Sequence, residues 1–158
     1  MKWLPALLVL ALALSACGSS GKKAASTTTT AAAPSMKAYV SAGNSVCMAA
    51  DRRIVQLGRL TRDPKGWART AAAARTAIAD MKKVTPPASH ARAFAQMLHY
   101  ANALALSIQE VHDALVQKKI DTAAAAQFAA AQIQDKVHQF AKSAGLTFCQ
   151  QALTNWPA

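Results

Sequence analysis

The sequence predicts an all-α fold, namely an antiparallel up-and-down bundle of four helices with a C-terminal tail that a disulfide ties back. From Met36 onward the chain is rich in alanine and holds few glycine or proline residues. Apolar residues recur there at alternating steps of three and four in four separate segments, which is the spacing of one buried helix face. Two cysteines, Cys47 and Cys149, stand near opposite ends of this region. Together these observations predict one helical domain over residues 36–158.

The first two helices are separated by an aspartate-proline pair. Helix 1 should begin after Ser35 as N-cap and run to about Arg62, and Asp63-Pro64 should then supply the cap and first-turn proline of helix 2. Helix 2 should stop near Val84, because Thr85-Pro86-Pro87 cannot continue it. The predicted buried faces comprise Val40, Gly43, Cys47, Ala50, Ile54 and Leu57 in helix 1, and Trp67, Ala71, Ala74, Ile78 and Met81 in helix 2.

The third and fourth helices follow the same pattern. Helix 3 should begin around Ala88 or Ser89, and Asp121 is the predicted N-cap of helix 4. Gly145 suits the left-handed residue just past a helix end, and the tail after it holds enough apolar residues to dock. The predicted buried faces comprise Phe94, Met97, Ala101, Leu104, Ile108, Val111 and Leu115 in helix 3, and Ala126, Ala130, Ile133, Val137, Phe140 and Ala144 in helix 4.

The N-terminus has the order of an export signal. Lys2 precedes an apolar run of about 11 residues, too short to span a bilayer, which takes roughly 20. Leu14-Ser15-Ala16-Cys17 resembles the lipobox of bacterial lipoproteins, whose cysteine is acylated and whose chain is cut before it; an ordinary signal peptide with a chance cysteine is the alternative. We expect a signal peptide at 1–16, lipidated Cys17 and a flexible tether at 17–35, and the bundle at 36–158.

Cys47 and Cys149 remain after lipidation of Cys17. An extracytoplasmic compartment lets disulfides persist, and in an up-and-down bundle the tail after helix 4 returns to the end where helix 1 begins. We favour a Cys47–Cys149 disulfide over free thiols or a metal site, because no further cysteine stands at ligand spacing and the chain has no C-x-x-C pair.

Several of these features occur together in one kind of protein. With the lipobox and tether, the chain resembles small two-cysteine helical lipoproteins of GC-rich Gram-positive bacteria. The residues that carry the resemblance are Tyr39, Cys47, Thr85-Pro86-Pro87-Ala88 and Gly145-Leu146-Thr147-Phe148-Cys149. The resemblance implies a helical fold and a location in the cell envelope, and it implies no activity.

Motifs for catalysis and metal binding are missing from the sequence. Glu110 is the only glutamate, whereas a di-metal carboxylate bundle uses several. Asp135-x-x-His138 is one isolated pair, which a solvated helix face explains, and no glycine-rich phosphate loop occurs. The histidines, His90, His99, His112 and His138, form no i,i+4 pair of zinc ligands. We expect no enzyme, no metal and no cofactor.

Positive charge is the strongest functional signal. The net charge is +11, and residues 36–92 hold eleven Lys and Arg against three Asp, whereas residues 93–158 hold four of each sign. Such asymmetry favours an anionic partner, and a solvated, repulsive exterior is the alternative. In an up-and-down bundle the helix 1–2 and helix 3–4 turns share one end. We predict a basic patch there, formed by Arg59, Arg62, Lys65, Arg69, Lys118 and Lys119.

These observations predict a lipid-anchored protein on the extracytoplasmic face of the cell membrane, with a non-catalytic binding or structural role at anionic wall polymers or acidic lipid. Nucleic acid is not expected as a partner, since no stacking aromatics accompany the basic residues. The second hypothesis is a carrier of a small apolar ligand near Trp67, Phe94, Phe128 or Trp156. An enzyme with an unfamiliar site is the third.

Overall fold

The computed structural model describes residues 34–58 and 63–152, and this part of the chain contains helices and no strands. The all-α class is therefore confirmed. The lipobox with Cys17, and almost all of the tether, lie outside the described residues. The described elements are α1 Met36–Leu57, α2 Pro64–Met81, a 3-10 turn Ala88–His90, α3 Ala91–Val116, α4 Ile120–Ser143 and α5 Thr147–Ala152.

Helix α1 begins where the sequence predicts and ends earlier. The Ser35 side chain accepts a hydrogen bond from the backbone N–H of Ala38 at 3.2 Å, which caps the helix. The predicted end near Arg62 is wrong, because α1 ends at Leu57 and Gly58 adopts a φ of 73°. Glycine takes this left-handed conformation without a Cβ clash, so Gly58 is the residue that stops the helix.

Helix α2 has the predicted start. The Asp63 carboxylate accepts a hydrogen bond from the backbone N–H of Lys65 at 3.0 Å, and Pro64 is the first helical residue. The helix ends at Met81, three residues before the predicted Val84. Val84 is nevertheless buried, because the turn at Lys82 and Lys83 carries it back onto the core.

Helices α3 and α4 are joined by the turn Gln117–Lys119. The chain enters α3 through the 3-10 turn at the predicted place. The prediction of Asp121 as N-cap is wrong, because Lys119 holds the cap position and Asp121 lies in the first turn of α4. A carboxylate there still interacts favourably with the helix N-terminus. Gly145, with a φ of 76°, follows the end of α4 as predicted.

Most helices of the domain pack on the helix next to them in the chain, and the short final helix α5 packs on two of the others. Helix α2 packs on α1 and α3, α3 packs on α4, and α5 contacts both α1 and α4. An up-and-down bundle of four helices would place helix 1 directly beside helix 4, whereas here α5 contacts both α1 and α4. The predicted faces of α2, α3 and α4 are buried or half-buried. In α1 the inward residue of the first turn is Tyr39, and Val40 is only partly buried.

Candidate functional site

The disulfide predicted from the sequence joins α1 to α5. The sulfurs of Cys47 and Cys149 are 2.05 Å apart and the two Cα atoms 5.1 Å apart. Cys149 is fully buried. The bond closes the chain over a sequence separation of 102 residues, so it links the first helix of the domain to the last described one.

The segment around Cys149 also packs closely along α1. Gly43 approaches Leu146 so closely that a Cβ added to Gly43 would lie 2.6 Å from Leu146 Cδ2. One turn earlier, the Tyr39 hydroxyl donates a hydrogen bond to the backbone oxygen of Ala144 at 2.9 Å. Residues 144–149 therefore run along α1 in the same direction as that helix.

Tyr39 is a site residue that the predicted buried face omitted. It is 1% exposed, and its ring meets that of Phe94 edge-on with the centroids 5.8 Å apart. The signal was present in the sequence, since Tyr39, Gly43 and Cys47 are spaced by four. Val40 also satisfies the alternation of three and four, so the spacing alone favours Val40 as the inward residue of the first turn.

Burial raises the pKa of the Tyr39 phenol to about 12. Between about pH 10, the value of an unperturbed tyrosine, and pH 12, the folded chain keeps a proton that the unfolded chain has lost. The free energy of unfolding should therefore fall across that interval, by roughly 3 kcal/mol from this group, and the contribution is complete below pH 10.

A Tyr100→Phe variant leaves Tyr39 as the only tyrosine and allows this to be measured. Its phenolate absorbance should rise in the folded protein only near pH 12, and in urea-unfolded protein near pH 10. Adding Tyr39→Phe should remove the corresponding part of the pH dependence of unfolding. Titration of the folded Tyr100→Phe protein near pH 10 would show that the phenol is not desolvated.

Four residues of the predicted basic patch lie in the part of the chain that the structure describes. Lys65, Arg69, Lys118 and Lys119 are exposed, whereas Arg59 and Arg62 lie outside the described residues. His112, near the end of α3, donates a hydrogen bond from Nδ1 to the backbone oxygen of Pro64 at 2.8 Å. This contact joins the start of α2 to the last turns of α3. We call the four described cations at that end, Lys65, Arg69, Lys118 and Lys119, the basic tip.

Lys118 has a backbone conformation that usually belongs to glycine. Its φ is 58°, the one positive φ among the non-glycine residues that the structure describes. The backbone N–H of Lys119 donates to the oxygen of Ala114 at 2.9 Å, and that of Lys118 to the oxygen of Leu115 at 3.0 Å. This is the hydrogen-bond pattern of a glycine C-cap. A lysine here costs about 1 to 2 kcal/mol of backbone strain.

Acidic groups near the basic tip have local roles. Asp63 caps α2, Asp121 lies in the first turn of α4, and the Asp113 carboxylate accepts a hydrogen bond from Gln109 Nε2 at 2.9 Å. Both Asp63 and Asp121 are predicted caps, and only Asp63 acts as one.

The described residues include no group of three or more His, Cys, Asp and Glu side chains that could hold a metal ion. His112 is bound to Pro64, the Nδ1 of His90 lies 2.9 Å from the Ser89 hydroxyl, and His99 packs edge-on against Tyr100.

The aromatic residues suggested for a carrier do not form one site. Trp67 and Phe94 belong to the packed core, Phe128 is 69% exposed, and Trp156 lies outside the described residues. An apolar cavity of about 60 Å³ lies instead beside the disulfide, and none of these aromatic residues lines it. No pattern in the sequence indicates this cavity, because it depends on how alanines from several helices meet.

Among the described helices, none has both the length and the apolar character needed to cross a bilayer. Comparison with known proteins found no matching family model, no matching curated protein and no matching solved structure.

Proposed function

We propose that this chain is a lipid-anchored, non-catalytic binding protein on the extracytoplasmic face of the cell membrane, and that its basic tip binds anionic polymers of the envelope. The observation that supports the proposal is that Lys65, Arg69, Lys118 and Lys119 are all exposed, on segments that the hydrogen bond between His112 and Pro64 joins at one end of the helices. Exposed cations grouped in this way attract polyanions at low and moderate ionic strength.

The proposal includes an up-and-down arrangement of α1 to α4. Contacts between chain-distant residues support it. His112 meets Pro64 at one end, Tyr39 meets Ala144 at the other, and Tyr100 of α3 stacks on Phe140 of α4 with the centroids 5.4 Å apart. At 1.5 Å per residue, the 22 residues of α1 rise about 33 Å. The basic tip would thus stand that far from the tether.

The strained backbone at Lys118 gives the proposal independent support. Glycine at this position would relieve the left-handed strain, yet the chain carries a lysine. Residues in costly backbone conformations are concentrated at functional sites. We interpret the lysine as retained for its charge at the expense of stability.

Replacing Lys118 by glycine should therefore separate stability from binding. We expect the free energy of unfolding to increase by about 1 kcal/mol, while binding to purified cell wall weakens. Urea denaturation and wall sedimentation of the same preparations measure the two effects. A less stable Lys118→Gly protein, or one that binds wall as well as the parent chain, would contradict this interpretation.

The basic tip as a whole can be tested against a matched set of cations. Changing Lys65, Arg69, Lys118 and Lys119 to glutamine should abolish most sedimentation with anionic wall at low salt. The control changes four other exposed cations, Lys37, Arg92, Lys136 and Lys142, for the same change in net charge. Three of these, Lys37, Arg92 and Lys142, lie at the tether end of the helices.

The control variant should keep its wall binding, and binding of the parent chain should fall as salt approaches 0.1 M, where screening acts over about 10 Å. Equal losses in the two variants would mean that only total charge matters. Binding to anionic liposomes in preference to wall would assign the basic tip to acidic lipid.

The lipid anchor rests on the lipobox and on the resemblance to two-cysteine lipoproteins of GC-rich Gram-positive bacteria. Chain isolated from membranes should carry the mass of diacylglycerol on Cys17, and a Cys17→Ala variant should leave the membrane fraction, since acyl chains provide the attachment. Intact-mass spectra and cell fractionation measure this. A wild-type chain without lipid mass that fractionates like the variant would refute the anchor.

A further inference from the structure

An apolar cavity lies where α1, α2 and α3 meet the disulfide. Its volume is about 60 Å³. Four alanines line it, Ala50, Ala74, Ala77 and Ala101, and their short side chains leave the space open. Both cysteines of the disulfide, Met81 and Met97 complete much of the wall. Apolar cavities exclude water and accept apolar groups, and methionine adapts its shape to them.

A wider groove of about 550 Å³ lies against the same part of α1. It runs between α1 and the segment that follows α2, and it is lined by both apolar and polar groups, among them Ser45, Thr85 and Lys83. Val46 lines both the groove and the cavity. The Val46 side chain therefore borders both the cavity and the groove.

The charged residues that line the groove are Lys83 and Asp80, one of each sign, and Arg53 lies beside Asp80 at the edge of the groove. Lys83 Nζ lies 2.8 Å from an Asp80 carboxylate oxygen, and Arg53 approaches the other oxygen of that carboxylate at 3.8 Å. The hydrogen bond and charge of Lys83 hold the pKa of the Asp80 carboxyl below its usual range. Two cations thus surround one carboxylate at the groove, and the local net charge favours an anion.

From this juxtaposition we propose that the chain binds a single-chain anionic amphiphile of the fatty-acid class. The alkyl end occupies the cavity beside the disulfide, and the carboxylate lies in the groove near Lys83. The cavity has room for a short apolar segment only, so the rest of the alkyl chain passes Val46 and lies in the groove. No residue of the basic tip takes part, so this proposal and the polymer-binding proposal can fail independently.

Methionine methyl groups report on whether the cavity is occupied. The probe is decanoate below its micelle concentration, added to the full chain carrying Cys17→Ala, with the disulfide intact and the methionine methyls labelled with ¹³C. Met81 and Met97 line the cavity, whereas Met36 and Met48 are exposed elsewhere. The signals of Met81 and Met97 should shift saturably, and those of Met36 and Met48 should stay in place.

Variants test the cavity and the groove separately. Ala74→Leu should fill the cavity and abolish the shifts, and Ala72→Leu, at an exposed position of the same helix, should keep them. Ala50→Val is a smaller filling substitution for use if Ala74→Leu does not fold. Lys83→Gln should weaken decanoate binding about two- to fivefold, the range of one exposed ion pair. Asp80→Asn should strengthen it, because the competing carboxylate is removed.

Several results would overturn the proposal. Unchanged Met81 and Met97 signals at the solubility limit would show that the cavity stays empty. Parallel shifts of all four methionines would indicate non-specific surfactant binding. Equal affinity for decyltrimethylammonium, which carries the opposite charge, would show that the site does not select an anionic head group.

Discussion

Reduction of the Cys47–Cys149 disulfide should lower the free energy of unfolding by about 4 to 5 kcal/mol. The bond closes a loop over 102 residues, and a loop of this length removes about that much entropy from the unfolded chain. Reductant leaves both cysteine side chains in place, so the loss reports the crosslink and not the packing of Cys149. Urea denaturation of the oxidised and reduced full chain measures the difference.

The slope of the unfolding curve gives a second observable. The crosslinked unfolded chain is more compact, so reduction should also increase the dependence of unfolding free energy on urea. The matched control is a Cys47→Ser, Cys149→Ser chain, whose stability should not respond to reductant. A loss below about 1 kcal/mol on reduction of the wild type would mean that the unfolded chain gains little freedom when the bond opens.

Leu146→Ala should destabilise the domain by about 3 kcal/mol, within the range for a fully buried leucine. Leu146 is 0% exposed and lies against Gly43. The close contact between Gly43 and Leu146 allows a more specific prediction. The effect of Gly43→Ala on the free energy of unfolding should change sign when Leu146 is replaced by alanine. In the wild type, Gly43→Ala should be destabilising, since its Cβ would lie 2.6 Å from Leu146 Cδ2.

In the Leu146→Ala background the clash is absent. Gly43→Ala should then stabilise α1 by about 1 kcal/mol, the difference between alanine and glycine within a helix, and it partly fills the vacated space. Thermal or urea unfolding of the four proteins in this cycle measures the coupling.

Ala42 provides the comparison for the cycle, because it is exposed on the same helix. Ala42→Gly should cost about 1 kcal/mol whether residue 146 is leucine or alanine. Additive effects at Gly43 would show that Leu146 does not pack on α1 as closely as the structure indicates.

Local signals explain why several helix boundaries could be predicted. Ser35 and Asp63 cap their helices because a short oxygen-bearing side chain reaches the first free N–H groups. Gly145 follows α4 because glycine accepts a positive φ. Where two local signals competed, prediction failed: Asp121 is a good cap, but the chain enters α4 two residues earlier, at Lys119. In α1 the expected end near Arg62 followed the Asp63-Pro64 signal, whereas the helix ends at Leu57, the last residue of its apolar spacing, where Gly58 adopts a positive φ.

The all-α class, most of the buried faces of the long helices and the pairing of Cys47 with Cys149 follow from the sequence, because periodicity, capping and cysteine count are local or compositional properties. The contacts of α5 with both α1 and α4, the hydrogen bond from Tyr39 to the end of α4 and the strained backbone of Lys118 become visible only in the folded chain. The same is true of the cavity that alanines from three helices line beside the disulfide. Each of these depends on distances between residues far apart in the chain, which no local pattern encodes.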